Sequence, residues 1–86
     1  MSTVQHGDVF EIQGEAHIVS EVFGSRVRLL RVPWMLVYHN PGTIINSLRY
    51  RSDYKEISKA DLLGHRFHGH IHLTRNNRVQ AHHTNL

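Results

Sequence analysis

The chain has 86 residues, 40% of them apolar and 20% charged, which gives one ordered domain and excludes two domains, a disordered chain or a large core. With no cysteine, a disulfide framework and a thiolate metal site are excluded. Ten Lys and Arg against seven Asp and Glu leave a net charge of +3, modestly basic.

The start, MSTVQHGDVFEIQGE, lacks the basic residues and apolar segment of a signal peptide. The longest apolar run, VPWMLVY, is far below the ~20 residues that cross a bilayer. A cytoplasmic protein with no membrane partner is expected.

Period-two alternation then dominates. Phe10 and Ile12 share a face in DVFEIQ; Ala16, Ile18 and Val22 share one in AHIVSEV; Val27 and Leu29 alternate with Arg26 and Arg28 in RVRLLRV. These are strands, divided by Gly14 and by Gly24-Ser25. A two-residue loop with glycine first predicts a type II′ hairpin. Its register sets Val22 opposite Val27, Glu21 opposite Arg28 and Ser20 opposite Leu29, with Val22, Ile18, Val27 and Leu29 on one side. Val19, Leu30 and Val32 make the other side apolar further along, as in a strongly curved sheet.

After Pro33, WMLVY (34–38) reads as a strand buried on both faces, with Trp34 in the core. NPGT fits a type II turn, with Pro41 second and Gly42 third. Leu48 and Tyr50 alternate with Ser47, Arg49 and Arg51 in a further strand. SKADLLG predicts one or two helical turns over 58–63, with Ser58 as N-cap, Asp61 as its capping-box partner and Gly64 as the stop. HRFHGHIH closes the domain: Phe67, Gly69, Ile71 and Leu73 fall on one side, Arg66, His68, His70 and His72 on the other. The domain is drawn over 1–79, with a frayed tail at 80–86. The whole reads as mainly β, a small single-domain open β-barrel of five to six antiparallel strands and one short helical turn. That order resembles the Src-homology type, with the OB-type barrel as the competitor.

No catalytic motif is present, so no enzyme and no cofactor are expected. The charge is uneven. Residues 1–25 carry four acids and no Lys or Arg, while 26–86 carry all ten basic residues, eight of them arginine, and three acids. Arginine suits forked contacts with phosphate or carboxylate. The expected function is a binding module that holds nucleic acid through Arg26, Arg28, Arg49, Arg51, Lys55, Arg66, His68, His70 and His72. An alternative is a protein-interaction module that regulates or inhibits a larger assembly, docking on an acidic surface or pairing with a second copy through exposed strand edges.

The histidines carry three readings. They are the solvent face of a strand, an extension of the basic surface that gains charge below about pH 6.5, or a metal site. His68, His70 and His72 are the metal candidates, since side chains two apart on a strand lie about 6.5–7 Å apart. No acid follows Asp61, so any carboxylate that orients these rings must come from elsewhere in the fold.

Overall fold

The computed structural model describes residues 3–40, 44, 54–72 and 83–84. The elements are β1 (Asp8–Ile12), β2 (Glu15–Phe23), β3 (Arg26–Val32), α1 (Trp34–His39), β4 (Lys55–Ser58), α2 (Lys59–Leu62), β5 (Arg66–Ile71) and β6 (His83–Thr84). Among the described residues the strands form one antiparallel sheet in the order β4-β3-β2-β1-β5-β6. That sheet is mainly β as expected, yet it is not closed: β4 and β6 are its edges, and the expected barrel is not formed by these strands. The expected tail at 80–86 includes the short β6, whose Thr84 and His83 stand opposite His70 and Ile71.

The first three strands form by local chemistry. Gln13 and Gly14 both have positive φ, 54° and 80°, the pattern of a type I′ turn, and Ile12 stands opposite Glu15. Gly24 has φ 57°, and Ser25 is not in the positive region, in keeping with the expected type II′ turn. Near that turn the register is as predicted, with Val22 opposite Val27 and Glu21 opposite Arg28. Beyond it a bulge intervenes, and Val19 rather than Ser20 faces Leu29. One extra residue reverses the face of everything behind it. Ile18 therefore packs in a different cluster from Val27 and Leu29, correcting the single side drawn from alternation.

The sheet has an apolar cluster on each face. On one side lie Val9, Ala16, Ile18, Leu30, Val32, Val37, Ile44 and Ile71, with Trp34, Leu36 and Tyr54 against them. On the other lie Val4, Phe10, Ile12, Val19, Val27, Leu29 and Leu62, with Ile57 and Phe67. A sheet dry on both sides explains why four successive β2 residues, Ala16 to Val19, are all buried, three of them apolar and the fourth the polar His17.

The run WMLVY is helical, not extended. A short apolar run has the same appearance in a buried strand and a helix. Here α1 begins after Pro33, buries Val37 and leaves Met35 65% exposed. Its Trp34 indole N–H donates to the Gly14 carbonyl at 2.9 Å, tying the helix to the β1–β2 turn. The NPGT turn, the strand around Leu48 and Tyr50, and Leu73 lie outside the described residues.

The short helix α2 forms as its sequence requires. The Ser58 hydroxyl accepts the Asp61 backbone N–H at 3.1 Å, and Leu62 is fully buried in the second cluster. Ser58→Ala removes that cap and should cost about 1 kcal/mol, read as a shift of the urea midpoint. An unchanged midpoint would show that Leu62 alone holds the turn. No helix among the described residues is long and apolar enough to cross a membrane.

Candidate functional site: an aromatic ledge on a histidine

The strand β5 is where the sequence reading and the structure part. Phe67 stands opposite Phe10 and His70 opposite Asp8, so three steps on β5 match two on β1. Gly69, at φ 110°, sits in the resulting bulge. Phe10 and Asp8 share a face, and so then do Phe67 and His70. His68 and Ile71 turn to the opposite face, the one containing Val9. The unbroken alternation of Phe67, Gly69 and Ile71 is thus corrected, and the histidines do not form one row.

Each of the two partly buried histidines finds a carboxylate on β1. The His70 Nδ1–H donates to Asp8 Oδ1 at 2.8 Å, and Asp8 also accepts the Gln5 backbone N–H at 2.9 Å. Asp8 is buried, with both oxygens engaged. The second pair is His68 with Glu11, Nε2 to Oε1 at 3.0 Å. A carboxylate only accepts, so Nε2 is the donor. The Nδ1 of the neutral ring then accepts the Tyr38 hydroxyl, 3.2 Å away. Glu11, His68 and Tyr38 form a string in which one tautomer serves both bonds.

That string fixes a ledge. The Trp34 ring meets His68 edge-on at 4.7 Å and lies nearly parallel to Tyr38, with centroids 5.9 Å apart and planes at 18°. Trp34 is half-buried and Tyr38 is 46% exposed, so ring faces remain open beside the packed ones. Arg66, exposed, stands opposite Glu11. Arg31 and Trp34 line a shared cleft of about 290 Å³ with Gly14, Pro33 and Val32.

The basic residues named from sequence do not gather in one patch. Arg26 pairs with Glu56 at 3.1 Å, and Arg28 with Glu21 at 3.4 Å. The Arg28 guanidinium also lies over the rings of Phe23 and Tyr54, 5.0 and 5.5 Å from their centroids. Both arginines sit near the Gly24 turn, at the far end of β2 from Arg66. Nine residues of β2 separate those ends by roughly 25 Å of strand. Lys55 lies opposite Leu29 on the β4 edge. His72 is exposed just past β5, and Arg49 and Arg51 lie outside the described residues. Exposed ion pairs are worth about 0–1 kcal/mol, so Arg26 and Arg28 can exchange partners at little cost.

Among the described residues no three His, Asp or Glu side chains converge as a metal set. The bulge explains this for His68 and His70, which it sends to opposite faces. Reading from sequence missed Glu11, Trp34 and Tyr38. The strand pattern put Trp34 in the core, and no local signal joins residue 11 to residue 68. Comparison of the chain with protein-family models, curated proteins and solved structures finds no match in any of the three. The fold and the ledge define a small antiparallel β domain with an aromatic surface bordered by arginine.

Proposed function

We propose that this domain is a non-enzymatic binding module for single-stranded nucleic acid. Bases stack on Trp34 and Tyr38, while Arg66, Arg31 and the other basic side chains engage phosphates. The observation that carries the reading is the ledge itself, two near-parallel rings held by His68, with Arg31 lining the cleft beside Trp34 and Arg66 opposite Glu11. Stacking on aromatic rings is tolerant of sequence, and a basic border follows the backbone. For the finer reading of the fold, the short helical turn α2 between β4 and β5 favours the Src-homology order, with the described strands as an open sheet.

Fluorescence titration tests this directly, because Trp34 is the only tryptophan. Single-stranded oligonucleotides should quench it, and more strongly than duplexes. With about four phosphate contacts, affinity should fall about 50-fold between ~50 and ~200 mM salt. Trp34→Ala, followed by anisotropy of a labelled strand, should weaken binding about 5- to 150-fold. Absence of binding at low salt would overturn the proposal.

A protein-interaction role is favoured by a different observation. Val22 and Phe23, beside the Gly24 turn, are 36% and 41% exposed, and β4 is an open edge of four residues. A partner retained in a pull-down after nuclease treatment, and lost with Phe23→Ser, would support that reading instead.

A further inference from the structure

His17 is the one histidine of the described residues that is buried, 5% exposed, inside β2. It stands opposite Arg31 on β3 and Phe10 on β1. Its Nδ1 lies 3.1 Å from the Glu15 carbonyl oxygen. A carbonyl only accepts, so Nδ1 carries the hydrogen and Nε2 of the neutral ring carries a lone pair. No buried side-chain nitrogen or oxygen among the described residues lacks a hydrogen-bond partner. Nε2 has none, so it is not sealed in: it reaches open space.

The space beside it is a cavity of about 220 Å³ lined by Glu15, His17, Leu29, Arg31 and Lys55, several times the ~30 Å³ of one water. Its charged groups come from three strands. Arg31 on β3 is bridged to Glu15 of β2 at 3.2 Å. Lys55 on β4 has no ion-pair partner among the described residues. Two cations, one carboxylate and a neutral imidazole leave the cavity positive by one charge. A metal cation is repelled there.

We propose that this cavity is a binding site for a phosphate that still carries its hydroxyl hydrogen, whether inorganic phosphate or a phosphate monoester. Lys55 and Arg31 hold the charged oxygens, Arg31 giving up part of its bridge to Glu15. The P–O–H donates to His17 Nε2. That last contact is the selective one, because sulfate has no hydrogen to give at neutral pH. It meets the lone pair with an oxygen, and binds only if the ring first takes up a proton. Burial, with Lys55 and Arg31 nearby, pushes the His17 pKa below the ordinary 6.5 against the pull of the Glu15 carbonyl and carboxylate, so protonation there is opposed. The site does not depend on the nucleic-acid reading, since its ligand can be a free ion.

The test follows the His17 ring by NMR through a pH titration at constant ionic strength, with chloride, sulfate or inorganic phosphate. Phosphate favours the neutral ring through its P–O–H contact and the protonated ring through its charge, so it should move the His17 midpoint little, whereas sulfate, which binds only the protonated ring, should raise it. At pH 7 sulfate should bind at least tenfold more weakly than phosphate. Lys55→Met removes an exposed cation and should weaken phosphate about tenfold. His17→Gln, whose amide can donate to either ion, should bind the two alike. Adding a 5′-phosphorylated dinucleotide at pH 6, where the monoester retains its hydrogen on about half the molecules, separates the sources: competition with inorganic phosphate extends the ligand to monoesters, and its absence restricts the site to the free ion. Equal effects of phosphate and sulfate on wild-type His17, or unchanged phosphate affinity in Lys55→Met, would overturn the site. Those two measurements stand even if His17→Gln does not fold.

Discussion

Gly69→Val should destabilise this domain by about 3 kcal/mol or more, although strand propensity predicts the opposite sign. Valine is favoured in strands, and glycine within one weakens it. By that rule alone a regular β5 would gain from the exchange. But Gly69 sits at φ 110° and is buried in the bulge against β1. A β-branched residue at positive φ is a severe outlier, and backbone strain of that kind costs about 1–3 kcal/mol before any crowding is added. Relief by a register shift would move His70 off the buried Asp8, leaving that carboxylate short of a donor, or His68 off Glu11. Domains of this length are stable by roughly 4–13 kcal/mol, so the loss should be plain in urea unfolding. A midpoint equal to or above wild type would show that β5 is regular and that the division of its histidines between two faces is wrong.

Gly7→Ala should be comparably damaging, through contact rather than rotamer choice. The Gly7 carbonyl accepts the Ile71 backbone N–H at 2.8 Å, and its own N–H donates to the Val19 carbonyl at 2.9 Å. Gly7 thus links β2 and β5 just before β1 begins. A Cβ there would overlap the Ile71 carbonyl oxygen and lie 3.1 Å from the His70 ring, at φ 96°. The neighbour that must yield is backbone, held by those same bonds. We expect a loss of about 3 kcal/mol, part from positive φ and part from the overlap. Gly24→Ala is the control. It has φ 57° with nothing within 4 Å of the added carbon, so it should show only the conformational part, about 1 kcal/mol. Equal losses in the two variants would mean that the overlap at Gly7 relaxes freely.

Both glycines bear on how the ledge is built. Gly7 and Gly69 bracket the stretch where β1 and β5 pair out of step, which aims His68 at Tyr38 and His70 at Asp8. The ledge lies on the α1 side and the His17 cavity opens beside Leu29, within the second cluster, with Arg31 lining both that cavity and the cleft beside Trp34.

Much of the fold was legible from local patterns. The break at Gly14, the Gly24-Ser25 turn, the pairing of Glu21 with Arg28, and the Ser58 cap all rest on neighbours within a few residues. Their chemistry is therefore written in order along the chain. The sequence by itself determined a mainly β domain, an acidic first hairpin, and a short capped turn before the last long strand. Two things escaped it. WMLVY has no polar residue to reveal its period, so only the apolar surface of Val9, Ile18 and Val32 waiting for a cover decided that it is a helix. The bulges at Ser20 and Gly69 cannot be seen from alternation, since an extra residue becomes visible only when a partner strand fails to match it. Tertiary pairing with β1 therefore decided which histidine meets which carboxylate. It turned an apparent row of four into one ring that steadies an aromatic ledge and another that donates a hydrogen bond to a buried aspartate.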